Sequence, residues 1–378
     1  MMKWKRRLCA LLCAGLICFG AAGGAEEGGE AAVQNAEDEE AFKLAEALVK
    51  RFEIYAENYD ASEEEWKTWE TIVANSQIEK WAEYEAIPLP NAWFDCHWLP
   101  GNVYVISEPL HEQLACAFLI PGEERALLLD TCTGLQNIRE VTELLTDLPV
   151  TVLNSHDHFD HIGGNASFDE VWCYNDPGAV SHLKLGPTGK EMEEIQNREK
   201  SVRVLSDFFG VELLDRIPGK APTGTVEDGQ VIDLGGRKLE VLHTPGHQRS
   251  CIMLADRENG LLFTGDMFYP GPMYCMFDDS SFPDYVRSIR KAANLAREIG
   301  AEKVYTSHNL PEASLTDLER FADYLEGIEN GEITEFETED GYRIYQMDEV
   351  YSFEMVGEGS EPMTGFSVPA EGTETQDE

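Results

Sequence analysis

Hydrophobic and polar residues follow two different periodicities along this chain. Within residues 41–98, apolar side chains recur at helical intervals, as in Phe42, Ala45, Leu48, Val49 and Phe52. This spacing predicts amphipathic helices, so we interpret residues 41–98 as a helical N-terminal extension. From Val103 the pattern changes to short apolar runs separated by turn residues, which is typical of strands.

The strand pattern continues over residues 99–330, with helical segments between the strands. Strands are predicted at residues 103–107, 115–120, 126–130, 150–154, 171–174, 239–243, 251–255, 261–264 and 303–306. Helices are predicted at residues 138–145, 285–299 and 312–326. We interpret residues 177–218 as an inserted, mostly helical cap near the active face. This order of elements, without a glycine-rich dinucleotide-binding motif, predicts an α/β fold built as a layered sandwich.

The two ends of the chain have different compositions from the middle. Residues 1–25 combine a basic start, a short apolar stretch and a run of small residues, which predicts a cleaved signal peptide and an exported protein. The alternatives are an uncleaved membrane anchor or a lipid anchor on Cys13 or Cys18. Residues 26–40 are interpreted as an acidic disordered linker, 331–356 as a small hairpin and 357–378 as an acidic disordered tail.

The formal net charge of −42 limits the classes of partner. Such a charge repels nucleic acids and anionic membrane surfaces, so we expect a small-molecule substrate and no nucleic acid.

Cysteines beyond the predicted signal peptide form no Cys-x-x-Cys pair, which argues against a zinc ribbon or a redox motif. Disulfides and buried thiols both remain open for Cys96, Cys116, Cys132, Cys173, Cys251 and Cys275, and so does the oligomeric state.

Candidate metal ligands are concentrated in Ser-His-Asp-His-Phe-Asp-His-Ile, residues 155–162, directly after a predicted strand. Side chains two residues apart lie on the same side of an extended segment, so His156 and His158 can bind one cation. Asp160 and His161 can then face a second one. Imidazole nitrogens with a carboxylate are typical zinc ligands.

Other candidates also follow predicted strands directly: His247, Asp266 and His308. A rigid sheet commonly presents functional groups on the loops at one of its edges. Glycine precedes both His247 and Asp266 and allows the backbone to turn tightly there. The remaining histidines, His97, His111, His182 and His243, belong to no motif and are interpreted as surface residues or satisfied buried residues.

These motifs resemble the metallo-β-lactamase fold superfamily over roughly residues 100–330. The His-x-His-x-Asp-His motif stands at residues 156–161, Thr-Pro-Gly-His at 244–247, Thr-Gly-Asp at 264–266, and the last histidine is His308. The resemblance implies a four-layer αββα sandwich with a dinuclear metal site at one sheet edge.

The resemblance also implies a role for each of these residues. His156, His158 and His247 would bind the first metal, Asp160, His161 and His308 the second, and Asp266 both. Asp130 matches an aspartate that orients the ligands by hydrogen bonding. Tyr269 matches a tyrosine that lactonases direct at the substrate; the alternative is an aromatic residue packed on the cap. We expect two Zn²⁺ ions, with iron or manganese as alternatives.

A dinuclear centre of this kind points to hydrolysis. The cations lower the pKa of bound water, so a metal-bridging hydroxide would attack a carbonyl carbon while Asp160 passes a proton to the leaving group. The bridging Asp266 resembles glyoxalase-II-like thioesterases and lactonases more than β-lactamases. We therefore predict an exported zinc-dependent hydrolase of an ester, lactone or thioester. The alternatives are a β-lactamase-type amide hydrolase, an iron-dependent oxygenase on the same fold and a non-catalytic binding module.

The loop after His247 departs from the superfamily pattern at Gln248, Arg249, Ser250 and Cys251. Arg249 is open to two interpretations. It either steers a substrate carboxylate or pairs with one of the many acidic residues of this chain.

Overall fold

The computed structural model describes residues 81, 83–89, 93–109, 111–197 and 216–366. All of them belong to one compact unit, Trp69–Glu378. The predicted signal peptide, the acidic linker, most of the helical extension, residues 198–215 of the cap and residues 367–378 of the tail lie outside the described residues. Among the residues described, none of the helices combines the length and the apolarity that a membrane span needs.

Over the residues that the structure describes, the first sheet has eight strands in chain order. They are β1 (Glu85–Ala86), β2 (Asp95–Leu99), β3 (Val103–Ser107), β4 (Cys116–Pro121), β5 (Ala126–Leu129), β6 (Val150–Leu153), β7 (Glu170–Tyr174) and β8 (Gly224–Val226). Strands β1 to β5 pair antiparallel and β5 to β8 pair parallel. The parallel connections contain helices α1 (Ile138–Leu145), α2 (Phe159–Ile162), α3 (Pro177–Leu185) and α4 (Gly189–Asn197).

The second sheet has six strands and the third has four. In spatial order the second contains β15 (Glu312–Ser314), β14 (Lys303–Tyr305), β12 (Leu261–Phe263), β11 (Ile252–Asp256), β10 (Lys238–His243) and β9 (Val231–Asp233). The third contains β13 (Pro272–Cys275), β18 (Ser352–Val356), β17 (Tyr342–Gln346) and β16 (Glu337–Glu339). Two long helices, α5 (Phe282–Glu298) and α6 (Leu315–Glu329), complete the described fold.

Two hydrophobic layers hold the elements together. Between the first and second sheets, Phe118 packs against Phe263 and Tyr305, with ring centroids 5.4 and 5.8 Å away. The other face of the second sheet packs against α5, α6 and the third sheet. Helix α3 contacts β7, and same-handed parallel crossovers place α1 and α3 on the outer face of the first sheet. The predicted αββα sandwich is therefore confirmed.

Local sequence explains several of these elements. All residues of β5 are buried, as expected for a strand with both faces covered. Helix α3 begins where Asp176 accepts hydrogen bonds from the backbone N–H groups of residues 178 and 179, with Pro177 in the first turn. Helix α5 buries an apolar stripe that includes Tyr285 and Ile289.

Three sequence expectations need correction or extension. The helical interpretation of residues 41–98 is wrong for β1 and for the part of β2 that falls in this segment, because both are strands of the first sheet. The disordered interpretation of the tail is wrong up to residue 366, since Phe366 is buried and Met363 pairs with the backbone beside Phe277. Residues 331–356 contain three strands rather than a hairpin alone.

Cys96, Cys116, Cys132, Cys173, Cys251 and Cys275, for which both disulfides and buried thiols were possible, are free, buried thiols in this structure.

Candidate functional site

The predicted site residues lie where strands end at one edge of the sandwich. Strands β10 and β12 are both antiparallel to β11, and β14 is parallel to β12, so their carboxyl ends meet at this edge. Strand β6 of the first sheet ends beside them. The Ile252 N–H donates to the Ser155 carbonyl (2.8 Å), and the Cys116 N–H donates to the Ser307 carbonyl (2.7 Å). These hydrogen bonds connect the two sheets next to the site.

Seven predicted residues converge there, and we call them the His/Asp cluster. Its first group is His156, His158, His247 and Asp266, and its second group is Asp160, His161 and His308. Within each group the potential ligand atoms lie within 4.8 Å of one another. All seven side chains are buried. Residues spread over about 150 positions of the sequence therefore form one compact donor set.

Asp266 lies between the two groups. Its Oδ2 atom is 3.6 Å from His247 Nε2 and 3.8 Å from His156 Nε2. Its Oδ1 atom is 3.1 Å from both His161 Nε2 and His308 Nε2. Oδ2 is also 3.1 Å from His308 Nε2. One carboxylate thus contacts imidazoles of both groups, which is the arrangement that a bridging ligand needs.

Imidazole nitrogens in the cluster face each other at short distances. His161 Nε2 is 3.3 Å from His308 Nε2, and His247 Nε2 is 3.0 Å from His158 Nδ1. The Nδ1 atoms of His247 and His308 lie 2.7 and 2.6 Å from the carbonyl oxygens of Tyr274 and Gln113. Carbonyls only accept, so these Nδ1 atoms carry the protons and the Nε2 lone pairs point into the cluster.

The donor set fits divalent cations. The nitrogen and oxygen lone pairs of the cluster are buried and point at one another, and a cation bound between them would stabilise this arrangement. His156 Nε2 has no hydrogen-bond partner among the described residues, although it is buried. Burial of a polar nitrogen without a partner is costly, and a cation between this nitrogen and Asp266 would remove that cost. Imidazole and carboxylate donors suit zinc, iron and related transition metals.

The electrostatics of the two groups differ when no cation is bound. Burial lowers the pKa of His156 and His158 well below the usual value, which keeps both imidazoles neutral and able to coordinate. Burial also disfavours the charged form of His161, but the carboxylates of Asp266 and Asp130 outweigh it and raise that pKa well above the usual value. Without a cation the protonated form of His161 is therefore favoured, and a metal bound there would replace a proton.

Asp130 orients two members of the cluster. Its Oδ1 accepts from the Ser155 N–H (2.7 Å), and its Oδ2 accepts from Ser155 Oγ (2.7 Å) and His161 Nδ1 (2.9 Å). Ser155 Oγ in turn lies 3.1 Å from His156 Nδ1. Asp130 adopts φ +64°, a left-handed conformation that is costly for a residue other than glycine. The carboxylate stands where the resemblance placed it.

The glycines before His247 and Asp266 have the backbone conformations that tight turns require. Gly246 has φ +154° and Gly265 has φ +52°. A side chain at Gly246 would place its Cβ 2.4 Å from the Cα atom of Tyr285. The expectation from sequence is confirmed at both positions.

A cavity of about 690 Å³ opens onto the cluster. Tyr269 lines it, with its ring centroid 5.0 Å from that of His308. Phe277 and Phe366 also line the cavity, and sequence reasoning missed both. The Phe277 ring lies 4.5 Å from His158 and 5.6 Å from Phe366. One sequence signal could have indicated that Phe366 lines a cavity: Met363 and Phe366 are two large apolar residues in an otherwise polar stretch.

Arg249 pairs with an acidic residue. Its Nε and Nη2 atoms donate to the two carboxylate oxygens of Asp176, at 2.7 and 3.2 Å. The structure therefore shows the second interpretation of Arg249, an ion pair with an acidic residue. The bidentate contact connects the loop after β10 with the start of α3.

The four histidines outside the motifs all have contacts of their own. His97 Nδ1 faces the Tyr84 carbonyl, and His111 Nδ1 accepts from the Gln113 N–H. The half-buried ring of His243 stacks on Tyr174, with ring centroids 4.0 Å apart. His182 is buried between two carboxylates. None of the four belongs to the His/Asp cluster, in agreement with their interpretation as residues other than metal ligands.

Comparison with known proteins agrees with this geometry. A family model described as the metallo-beta-lactamase superfamily matches residues 114–308, more than half of the 378 residues and the whole His/Asp cluster. The acyl-coenzyme A thioesterase MBLAC2 of Homo sapiens is 30% identical over 230 residues, 57% of this chain and 81% of that protein. A hydroxyacylglutathione hydrolase of Synechococcus sp. is 26% identical over 200 residues, 52% of this chain and 66% of that protein.

A solved structure also aligns with this chain. An archaeal metallo-beta-lactamase superfamily protein from Sulfolobus tokodaii aligns with a TM-score of 0.43 and 19% identity, over 68% of this chain and 90% of that one. The family assignment rests instead on the match of residues 114–308 and on the extent of the similarity to MBLAC2. The chain belongs to the metallo-β-lactamase superfamily and is a metal-dependent hydrolase.

Proposed function

We propose that this protein is an exported, dinuclear zinc hydrolase that cleaves the carbonyl bond of a small ester, lactone or thioester. The observation that carries the proposal is Asp266, whose two oxygens face the two groups of the His/Asp cluster. A carboxylate between two sets of imidazoles is suited to two cations rather than one. Export is supported by the composition of residues 1–25.

In this proposal His156, His158 and His247 would hold the first zinc ion and Asp160, His161 and His308 the second, and Asp266 would be a ligand common to both. Bound there, the zinc ions would lower the pKa of a water molecule and polarise the substrate carbonyl. Asp130 would keep the imidazole of His161 oriented for binding, since it accepts the Nδ1 proton.

Two side chains act on the substrate itself, and one of them, Asp160, is also a proposed ligand of the second metal. Asp160 lines the cavity, with Oδ2 3.6 Å from His308 Nε2, and is placed to take the proton that the attacking water loses and to deliver it to the leaving oxygen or sulfur. Burial raises the pKa of Tyr269 well above its usual value. The phenol therefore keeps its proton at neutral pH and donates a hydrogen bond to a substrate oxygen.

The walls of the cavity combine apolar, polar and acidic side chains and favour an uncharged substrate. Its described lining includes Phe159, Met276, Phe277, Met363 and Phe366. Outside the His/Asp cluster, the charged residues in that described lining are Glu112 and Glu194, both acidic. Together with the net charge of −42, this composition disfavours polyanionic leaving groups such as coenzyme A, the group in the name of the relative MBLAC2.

A substrate screen with metal analysis tests the proposal. Protein purified without added metal is analysed for zinc, iron and manganese. It is then assayed with lactones, aryl esters, thioesters of a neutral thiol and of coenzyme A, phosphodiesters and cephalosporins. We expect about two zinc ions per chain and the highest kcat/KM on neutral esters, lactones or thioesters. Stoichiometric iron would contradict the zinc assignment, and faster cleavage of cephalosporins or phosphodiesters would contradict the proposed bond.

Replacing Tyr269 with phenylalanine is expected to lower kcat about 10-fold, the value of one hydrogen bond of about 1 kcal/mol or slightly more. The reason is that the ring is retained while the hydroxyl donor is lost. Steady-state kinetics and metal analysis check this result. Metal content should stay at the wild-type value, and an unchanged kcat would show that Tyr269 has only a packing role.

Replacing Phe366 with alanine is expected to raise KM for long-chain acyl esters about 10- to 100-fold, because burial of a phenyl ring contributes about 1.5–3 kcal/mol. Acetyl esters, whose acyl group has a single methyl beyond the carbonyl, should be much less affected. A matched control is Phe336→Ala, which removes a half-exposed phenylalanine beside Tyr345 and Arg343 in the third sheet. Equal losses for acetyl and octanoyl esters would exclude Phe366 from acyl-chain recognition.

A further inference from the structure

A buried ionic network lies behind the His/Asp cluster. His182 of α3 is fully buried, and each of its ring nitrogens faces a carboxylate. Nδ1 lies 3.0 Å from Asp157 Oδ2, and Nε2 lies 3.0 Å from Glu191 Oε2. Asp157 and Glu191 are also buried. We call these three residues the His182 network.

The central histidine carries a positive charge. Burial disfavours that charge, but the hydrogen bonds to Asp157 and Glu191 outweigh it and raise the pKa of His182 to about 10. Both ring nitrogens therefore donate, one to each carboxylate. Charged groups paired this way inside a protein hold their partners in defined positions, since moving one of them leaves another charge uncompensated.

Asp157 connects this network to the proposed first metal site. It is the residue between His156 and His158 in the sequence. Its Oδ1 accepts from Ser250 Oγ at 2.5 Å, and Ser250 follows His247 by three positions. The same carboxylate thus contacts both loops that carry the imidazoles of the first group.

Glu191 completes the network from the inserted segment. It lies on α4, and its Oε2 also accepts from the Thr188 N–H at 3.1 Å. Glu194 follows it by one helical turn and lines the cavity. The contact between Glu191 and His182 therefore fixes α4 relative to the metal-binding loop.

We propose that Asp157, His182 and Glu191 position the first metal site. They fix the positions of the loops that carry His156, His158 and His247 relative to each other. They also dock the inserted helix α4 beside these loops. None of the three coordinates a metal in this proposal. They act through the backbone on either side of Asp157 and through Ser250. The inference rests on the metal site of the proposed function.

The experiment measures the affinity of each site for Co²⁺ by competition with a chelator. A His308→Ala background weakens the second group and isolates the first, and a His247→Ala background does the reverse. Glu191→Ala and His182→Ala are introduced into both. In the first-site background we expect Co²⁺ affinity to fall about 10- to 100-fold, the usual cost of losing a group that orients ligands. In the second-site background we expect a clearly smaller loss, because the network reaches Asp160 and His161 only through the contact of α4 with α2.

Two further variants separate positioning from loss of stability. Glu191→Gln keeps an oxygen that can accept from His182 Nε2, so it should restore most of the affinity lost in Glu191→Ala. Glu193→Ala removes an exposed acid from the same helix and should leave both affinities unchanged. Where His182→Ala does not fold, the two Glu191 variants carry the comparison.

The positioning role is overturned if Glu191→Ala lowers Tm but leaves the first-site affinity unchanged, or if both backgrounds lose affinity equally. If neither background binds Co²⁺ even with the network intact, the proposed metal site itself is wrong. The two failures are therefore distinguishable.

Discussion

Asp266→Ala is expected to reduce bound zinc from two ions to one per chain and to lower kcat/KM at least about a hundredfold, since even groups that only orient ligands cost 10- to 100-fold. The alanine removes both oxygens that lie between the two groups of the His/Asp cluster. The remaining imidazoles and Asp160 then share no anionic ligand between the two sites. Metal analysis after gel filtration and steady-state kinetics measure the two effects.

The fold should survive this substitution. The Asp266 backbone carbonyl accepts from the Tyr285 hydroxyl at 3.2 Å, and alanine keeps that contact. A suitable control is Asp169→Ala, because the Asp169 side chain is 93% exposed and pairs with Arg139 at 3.6 Å on the surface. The control should keep both metal ions and full activity. An Asp266→Ala protein with two tightly bound ions and wild-type turnover would refute the bridging role.

The second large effect is expected for Asp160→Asn, which should lower kcat about 10²- to 10⁴-fold on substrates with poor leaving groups. Asparagine resembles aspartate in shape but takes up no proton at neutral pH. Protonation of the leaving group is then lost. The measurement is a series of acyl esters with one acyl group and alcohols of increasing pKa.

The leaving-group series contains its own control. Aryl esters with acidic phenols leave without protonation, so the Asp160→Asn variant should retain more of its activity on them than on alkyl esters. A uniform loss across the series, with the second metal missing, would instead mean that Asp160 acts only as a ligand. Metal content is therefore determined for the same preparation.

Much of the site could be predicted because its residues follow strands directly. A strand is recognisable from a short apolar run, and its last residue marks where a loop begins. In this way the sequence predicted that His156, His247, Asp266 and His308 lie just after the ends of strands. The turns at Gly246 and Gly265 were visible too, since glycine is the residue that tolerates a positive φ.

Other features depend on contacts that no local pattern encodes. Phe366 and Phe277 form one wall of the cavity although 89 positions separate them in the sequence. Asp95 begins a strand because β3 offers it a hydrogen-bonding partner, whereas its own neighbourhood suggested the end of a helical extension. The partnership of His182 with Asp157 and Glu191 likewise requires α3 and α4 to fold back on the loop after β6.

The sequence by itself determined the sandwich class, the strand-end positions of the candidate ligands and their assignment to one superfamily. These follow from short-range periodicity, backbone preferences and motif order. The tertiary structure decided which carboxylate lies between the two groups, which apolar residues wall the cavity and which buried charges support the metal-binding loops. The physical reason is that such contacts join segments far apart in the chain, and their free energy appears only when those segments pack.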